Sequence, residues 1–523
     1  MTRHIKEYYV EWLAFIAFVV YAGILNLQFL EGSNVNYTFS GHDEYIAVRE
    51  VYSILNPASF KHFALAVSAG DVMFYGRAMF YTDAMLAWLP YKLWGLSGMV
   101  YAIRMAHVFY LLAAVILLGR TFLSKPLSRT LFYAVVLTWY YTAYFVMIPK
   151  PEPLQLLVLA IFLFYAQRAN WQYGKHFIWL GIAYGLKFNV LMILPVFFAA
   201  PFFTGAQKIK DALVSGIWVL TGIVIAVPSL ILSPLRPVYI QTYLRSTFGN
   251  TSHYDDTDVP FTDWLNKGLF QWYGGHSIGG AAIFLAFLVL VVWFVYRLLL
   301  KKELNAFVVI LAIAFCFLMP VMLLTKRLWP HYLWTGSVFM ALALVMVFKS
   351  ILTERFLQKG IKTFAAVIFI FASFISASRL LPLFKLEEQA NSVLKDSKAA
   401  QNYLKEKSAH FICVQDISVY LPFKDFVLSK RYHPFSEDYP YPMQAQVFCT
   451  TRSGFIYPAG IKEMQAGFVL TYRTNFETDA SEVNTSHDKM ISEYNNEMRS
   501  LLFKEIFPDT VIGKVRVYKI LHE

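Results

Sequence analysis

A series of apolar runs, most of them long enough to cross a lipid bilayer, constrains this chain more than any other feature. A helix needs about 20 predominantly apolar residues to span the hydrocarbon core. Runs that meet or approach this length are Tyr8–Leu30, Gly98–Leu118, Thr130–Ile148, Leu154–Ala166, Ala212–Ser233, Ile278–Val295, Ala306–Leu324, Tyr332–Phe348 and Phe364–Leu381. The first is too long for a cleaved signal peptide, has acidic flanks, and precedes no small-residue cleavage site. Only 15% of the 523 residues are charged, against about 25% in an average soluble domain. This composition excludes a disordered chain, a collagen-like fibre and a soluble enzyme of ordinary make-up.

The net charge of +12 is unevenly spread. The last 140 residues hold 17 basic and 18 acidic groups, leaving 29 basic and 16 acidic groups in the apolar part. Basic residues beside apolar spans set membrane orientation, so the excess reflects topology and not a nucleic-acid partner.

The stretch His176–Thr204 is interrupted by Lys187-Phe188-Asn189 and by Pro195. Reading it as two short segments, with Met1 inside, places Arg3, Lys6, Arg120, Lys125, Arg129, Arg168, Lys175, Lys208, Lys210 and the Arg297–Lys302 cluster in short inside loops. One span fewer would put that cluster outside, against the positive-inside bias. The expectation is about eleven crossings, with the N-terminus inside and the C-terminus outside. The short pair is expected to be broken or to line a cavity, where irregular backbone is tolerated. The fold class is thus an all-α polytopic membrane protein over residues 1–383, followed by a soluble α/β domain over 384–523 on the extracytoplasmic side. The outer face carries the long first loop (31–96), a second long loop (Pro234–His276), the turns Pro149–Pro153 and Thr325–His331, and the tail.

Candidate chemistry gathers on that face. Asp43 and Glu44 follow the first span; adjacent carboxylates suit a general base or a metal ligand. The same residues also suit the start of a helix over Tyr45–Leu55, with Asp43 or Ser40 as its cap. Tyr75-Gly76-Arg77 lies before an amphipathic stretch, Met85–Leu93. Arg77 has the planar donor fork that grips phosphate, and is equally compatible with a snorkelling arginine in an aromatic belt. Arg104, Lys150, Glu152 and Lys187 lie within or at the ends of spans, where ionisable groups are costly and by default functional. Pro149-Lys150-Pro151-Glu152-Pro153 is a rigid turn presenting one acid and one base. Lys326-Arg327-Leu328-Trp329-Pro330-His331-Tyr332 places two cations, an imidazole and aromatics at another span end.

The order of these features resembles the C-type (GT-C) fold of polyprenyl-phosphate-sugar-dependent glycosyltransferases. Among them the dolichyl-phosphate-mannose protein mannosyltransferases and the bacterial aminoarabinose transferases of lipid A are most similar. The resemblance covers about residues 8–383 in organisation and rests on short motifs: Asp43-Glu44, Tyr75-Gly76-Arg77, Pro151-Glu152-Pro153, Gly185-Leu186-Lys187-Phe188 and a basic turn ending His331-Tyr332. It implies an inverting transfer of sugar from a lipid-phosphate donor to a protein, lipid or glycan acceptor. Asp43, with Glu44 beside it, would be the catalytic acid pair. Arg77, Lys187, Arg327 and His331 would bind donor phosphate; Tyr75, Lys150, Glu152 and Tyr332 would contact substrate. Relatives often have Lys-Pro-Pro where this chain has Arg77-Ala78-Met79. Some members use a divalent metal, which Asp43 and Glu152 could share here, and others do not. The sequence leaves this open and implies no other cofactor.

The tail reads as a helix over Glu387–Lys405, strands at His410–Val414, Gln446–Thr450, Gly467–Thr471 and Ile512–Ile520, and a helix over His487–Phe503. Cys413 and Cys449 could pair in an oxidising compartment. A multi-span transporter or lipid-linked-sugar flippase is the rival reading. A bacterial inner membrane is preferred over the endoplasmic reticulum, although three Asn-x-Ser/Thr triplets beginning at Asn36, Asn250 and Asn484 suit the latter.

Overall fold

The computed structural model describes residues 2–27, 30, 41–57, 59–68, 77–203, 209–228, 292, 305–324 and 330–353 of the apolar part. In the tail it describes 395–396, 399–400, 402–403, 406, 412–414, 447–449, 468–471, 506–513 and 515–520. The expected spans Phe364–Leu381 and nearly all of Ile278–Val295, the second long loop and the helix His487–Phe503 lie outside the described residues, as do Tyr75 and Arg327.

Twelve α-helices are described in the apolar part: α1 (Thr2–Asn26), α2 (Gly41–Leu55), α3 (Phe60–Ser68), α4 (Ala78–Phe122), α5 (Pro126–Thr138), α6 (Tyr140–Met147), α7 (Pro151–Arg168), α8 (Phe177–Leu186), α9 (Leu194–Phe203), α10 (Ile209–Ala226), α11 (Ala306–Leu324) and α12 (Pro330–Thr353). Helix α1 buries Phe15, Phe18, Ala22 and Leu25 at spacings of three and four, while Trp12, Ile16, Val20 and Ile24 stay exposed on another face. A helix apolar on both its packed and its outward face suits a membrane environment, because water would leave the outward stripe uncompensated. Helix α10 repeats the pattern, with Ile209, Leu213, Ile217, Leu220 and Val224 exposed. By length and composition, α4 and α10 pass the test for crossing a membrane.

Helix α4 is not one straight rod. Gly95 takes φ 64° and ψ −149°, a backbone region open essentially to glycine alone. Residues 24 apart would stand ~36 Å apart along a straight helix. Instead His107 Nε2 lies 2.9 Å from Asp83 Oδ2. The chain therefore reverses at Gly95, and the expected amphipathic segment and the following span form the two arms of a hairpin. Near the bend the arms approach so closely that a Cβ on Gly98 would meet the Pro90 carbonyl oxygen at 2.5 Å.

The expected span Thr130–Ile148 is two helices. Trp139, with φ −67° and ψ 131°, interrupts it between α5 and α6. The Thr142 hydroxyl donates to the Val136 carbonyl oxygen at 2.5 Å across the break and accepts from Trp334 Nε1 at 3.2 Å. A tertiary partner on α12 thus stabilises a jog that local apolarity does not signal.

The interruption expected within His176–Thr204 is present. Helix α8 ends at Leu186, a 3-10 turn covers Phe188–Ile193, and α9 follows. Phe198 of α9 lies 5.5 Å (ring centroids) from Phe177 at the start of α8, so the pair is a hairpin with Lys187 at its tip. Helix α8 also meets α10 at a glycine contact: a Cβ on Gly181 would sit 2.0 Å from the Val219 carbonyl oxygen, and one on Gly222 would sit 2.1 Å from that of Ile178. Helix α11 starts where Asn305 Oδ1 accepts the Val308 N–H at 3.0 Å, an ordinary N-cap.

In the tail, strands β1 (Ile412–Val414), β2 (Val447–Cys449), β3 (Phe468–Thr471), β4 (Ile506–Ile512) and β5 (Val515–Ile520) form one sheet in the order β2-β1-β3-β5-β4. Strands β1, β2 and β3 are mutually parallel, whereas β5 runs antiparallel to both β3 and β4. The expected single strand over Ile512–Ile520 is a hairpin turning at Gly513, whose φ is 58°. Strand β4 escapes sequence reading because Pro508 and Asp509 look like breakers; the edge strand accommodates them at a register shift between Pro508 and Thr510. Cys413 stands opposite Phe448, and Cys449 opposite Val414. The register therefore does not set the two cysteines opposite one another.

Two glycines isolate the backbone constraint, since a Cβ at either Gly95 or Gly216 would meet nothing within 4 Å. Gly95→Ala is expected to cost about 1–3 kcal/mol and to lower the melting temperature in detergent. Gly216→Ala, in mid-helix, should be neutral or stabilising by up to about 1 kcal/mol. Equal melting temperatures for the two variants would refute the assigned hairpin bend.

Candidate functional site

Four buried acid–base pairs lie along α2, α4, α7 and α8. On α2, Glu44, Ala47, Val48 and Val51 form a buried stripe with helical spacing. The helix begins at Gly41, so Asp43 lies within its first turn and is not the cap of a helix starting at Tyr45. The Asp43 side chain is outside the described residues. Glu44 turns inward: Arg104 Nε donates to its Oε1 at 2.6 Å, and both side chains are buried. Arg104 also donates to the Asn26 carbonyl oxygen at 3.4 Å, while Asn26 Nδ2 donates to the Val146 carbonyl oxygen at 2.9 Å. Glu44 thus ties the N-terminus of α2 to α4 and, through Asn26, to the ends of α1 and α6.

Two turns along α2, Glu50 accepts from Arg77 Nη1, whose Nη2 donates to the Ala66 carbonyl oxygen. The guanidinium carbon lies 5.0 Å from the Phe80 ring centroid. The residue expected to grip phosphate is therefore buried and engaged from within the protein, and a phosphate would have to displace one of these partners. Sequence reading missed Glu50. Its one available signal was its place seven residues after Asp43, two helical turns on.

The third group bridges the arms of α4. His107 Nε2 faces Asp83 Oδ2, and the Tyr110 hydroxyl donates to Asp83 Oδ1 at 3.1 Å. The Lys150 backbone N–H donates to His107 Nδ1 at 3.3 Å. Asp83 and His107 were not singled out by sequence reading, because nothing local announces that the chain reverses between them.

Lys150, buried, leads into α7, which starts with Pro151 at a position where a missing N–H costs nothing. Glu152 follows in the first turn, where a carboxylate is favoured by the helix dipole. Lys187 Nζ, at the tip of the α8–α9 hairpin, donates to Glu152 Oε1 at 2.5 Å. One turn along α7, the two N–H groups of Gln155 Nε2 are shared among the carbonyl oxygens of Lys187 and Ala183, at 2.6 and 3.1 Å, and Asn189 Oδ1 at 2.8 Å. Gln155 thereby satisfies the backbone that the break in α8 leaves open. Glu152 Oε2 and Gln155 Oε1 are buried, with no hydrogen-bond partner among the described residues.

The structure thus joins Glu152 to Lys187 directly and links Lys150 to the same turn, while Glu44 and Arg77 have other partners. His331 and Tyr332 fall in the first turns of α12, their side chains outside the described residues. Among the described residues, no group of three or more His, Cys, Asp or Glu side chains is placed to hold a metal ion.

The architecture matches a known one. The crystal structure of ArnT from Cupriavidus metallidurans in the apo state aligns with a TM-score of 0.53 at 12% identity, covering 97% of each chain. The undecaprenyl-phosphate-bound structure of the same enzyme gives 0.44 at 11% identity over 97% of each chain. The Archaeoglobus fulgidus oligosaccharyltransferase tethered with an acceptor peptide gives 0.44 at 12% identity, over 94% of this chain and 72% of that one. No family model and no curated protein matches the sequence. At such identities the likeness is one of fold, and the C-type fold expected from the sequence is the fold observed.

The buried pairs can be tested by unequal loss. Arg104→Met leaves the Glu44 carboxylate buried without its counter-charge and is expected to cost about 3–5 kcal/mol. Adding Glu44→Gln should recover part of that loss in a thermal-unfolding measurement. Strictly additive losses would show that the two side chains do not interact.

Proposed function

We propose that the protein is an integral membrane glycosyltransferase. It moves a sugar from a polyprenyl-phosphate donor to a protein, lipid or glycan acceptor at the extracytoplasmic face. The observation that carries this reading is the α7 start: a lysine cation beside two buried acceptor oxygens, Glu152 Oε2 and Gln155 Oε1, that lack partners among the described residues. Such oxygens call for donors, and sugar hydroxyls supply them next to a cation suited to the phosphate that links sugar to lipid. Similarity of fold to ArnT supports the same class of reaction.

In the proposed reaction the acceptor hydroxyl oxygen attacks the anomeric carbon, and its proton passes to the Asp43 carboxylate. The bond between the anomeric carbon and the phosphate oxygen breaks, with its electron pair staying on the leaving lipid phosphate. A single displacement inverts the anomeric centre. Lys187 offsets the charge developing on the phosphate, an electrostatic contribution that is usually large. Glu44, held by Arg104, fixes the helix that presents Asp43. Arg77, held by Glu50, is assigned to donor-phosphate binding in exchange for one of its present partners, and Arg327 and His331 are assigned to the same role. Tyr75, Lys150 and Tyr332 are assigned to substrate contact. A divalent ion, if used, would draw on Asp43 and Glu152. Residues 1–383 form the catalytic part, and the sheet-bearing tail over 384–523 lies on the extracytoplasmic side of a bacterial inner membrane.

The test is release of labelled sugar from polyprenyl-phosphate-sugar by the purified protein. Asp43→Asn should lower the rate by roughly 10²–10⁴-fold with normal membrane insertion, and Lys187→Met by roughly 10²–10³-fold. Turnover like that of the unaltered protein in either variant removes the corresponding role. A flippase would move the lipid with its sugar bond intact and release nothing. A phosphatase reporter fused after Glu523 should be active, and an inactive one would reverse the topology.

A further inference from the structure

We propose that Asp83 and His107 are positioning residues. They set the Pro149–Pro153 turn, and with it Glu152 and Lys187, through the hydrogen bond from the Lys150 N–H to His107 Nδ1. The inference rests on the reading of Glu152 and Lys187 as the substrate site, and adds to it the device that holds that site in place.

The backbone of the turn has few hydrogen-bond donors of its own. Three of its five residues are prolines, so only Lys150 and Glu152 carry a backbone N–H. The Lys150 N–H leaves the turn and donates to His107 on α4 at 3.3 Å. That bond assigns the tautomer of the ring. With Nδ1 accepting, the hydrogen lies on Nε2, which faces Asp83 Oδ2 at 2.9 Å and donates to it. The Tyr110 hydroxyl holds the other carboxylate oxygen at 3.1 Å and its ring packs on the imidazole at a centroid distance of 5.4 Å. The chain of bonds runs Tyr110 to Asp83 to His107 to Lys150. Two residues beyond Lys150 stands Glu152, which accepts from Lys187. Asp83 and His107 are fully buried. The arm of α4 carrying Asp83 is brought back by the Gly95 reversal, so the dyad transmits the shape of α4 to the start of α7.

The test separates the two ring nitrogens. Asn at position 107 can place its amide oxygen near Nδ1 and keep the Lys150 bond. Gln reaches instead toward Nε2, keeping the Asp83 bond and losing Lys150. Hydrogen exchange of the full-length protein in nanodiscs gives a direct readout: within 149–153 only Lys150 and Glu152 carry an exchangeable backbone N–H, and overlapping peptides that begin several residues before Pro149 resolve them. His107→Gln should speed that exchange on the order of tenfold, and His107→Asn should leave it near the rate of the unaltered protein. Transfer assays should follow the same order, with kcat lowered by as much as roughly a hundredfold in His107→Gln and donor KM little changed. Equal exchange in the two variants, or exchange like the unaltered protein's in His107→Gln, overturns the proposal.

If His107→Gln also opens the rest of α7, visible as faster exchange over 157–168, the unaltered protein decides. Nitrogen-15 spectra of histidine-labelled protein should show His107 with a bare Nδ1 and a protonated Nε2; the reverse tautomer overturns the inference. If the unaltered protein releases no sugar from any polyprenyl-phosphate donor tried, the glycosyltransferase reading fails, while exchange and spectra still decide whether the dyad holds the turn.

Discussion

A charge taken out of water into an apolar bundle loses several kcal/mol of solvation unless a partner answers it. That requirement organises the described part of this molecule. Glu44 with Arg104, Glu50 with Arg77, Asp83 with His107 and Glu152 with Lys187 each join residues 24 to 60 positions apart in the chain. Apolar contacts are non-directional and would tolerate several packings of these helices. An acid and a base that must meet at hydrogen-bond distance are far less tolerant. The pairs act as selective cross-links, drawing α2 onto α4, the arms of α4 onto each other, and α7 onto α8.

Backbone shape makes those meetings possible. The reversal at Gly95 lets a single helical element present Asp83 and His107 to one another and, one turn away on the same arm, Arg104 to Glu44. Close approach at Gly181 and Gly222 seats α8 on α10 with no side chain between them, and the hairpin into α9 leaves Lys187 at its tip facing α7. Gln155 then satisfies the carbonyls that the break exposes. The result is one polar layer within an apolar bundle, running from the end of α1 through α4 to the start of α7.

Much of this was legible locally. Apolar runs longer than a soluble helix requires identify most of the described helices. The Pro-Lys-Pro-Glu-Pro turn announces the start of α7, because proline removes N–H groups that a first turn does not use. Lys187 between Gly185 and Asn189 announces the break after α8. Alternating apolar residues identify β1, β2, β3 and β5. Other features had no local signal. The jog at Trp139 depends on Trp334, almost two hundred residues away, and β4 contains a proline and an aspartate that only an edge strand with a register shift accepts. Arg77 had the right chemistry for a phosphate, yet Glu50 and the Ala66 carbonyl engage it from inside.

What the sequence by itself determined is the solvent of this protein and the inventory of its chemistry. Long apolar runs cannot be hidden in a soluble fold of this size, and a small set of acids and bases must sit among them. Which acid meets which base was decided only by tertiary structure. Ion pairs and hydrogen bonds alike depend on distance in space, and that distance is set by a glycine reversal and a helical hairpin whose consequences extend far beyond any local window of sequence. Glu44 beside Asp43 reads as half of a catalytic pair in the chain; in three dimensions it faces Arg104.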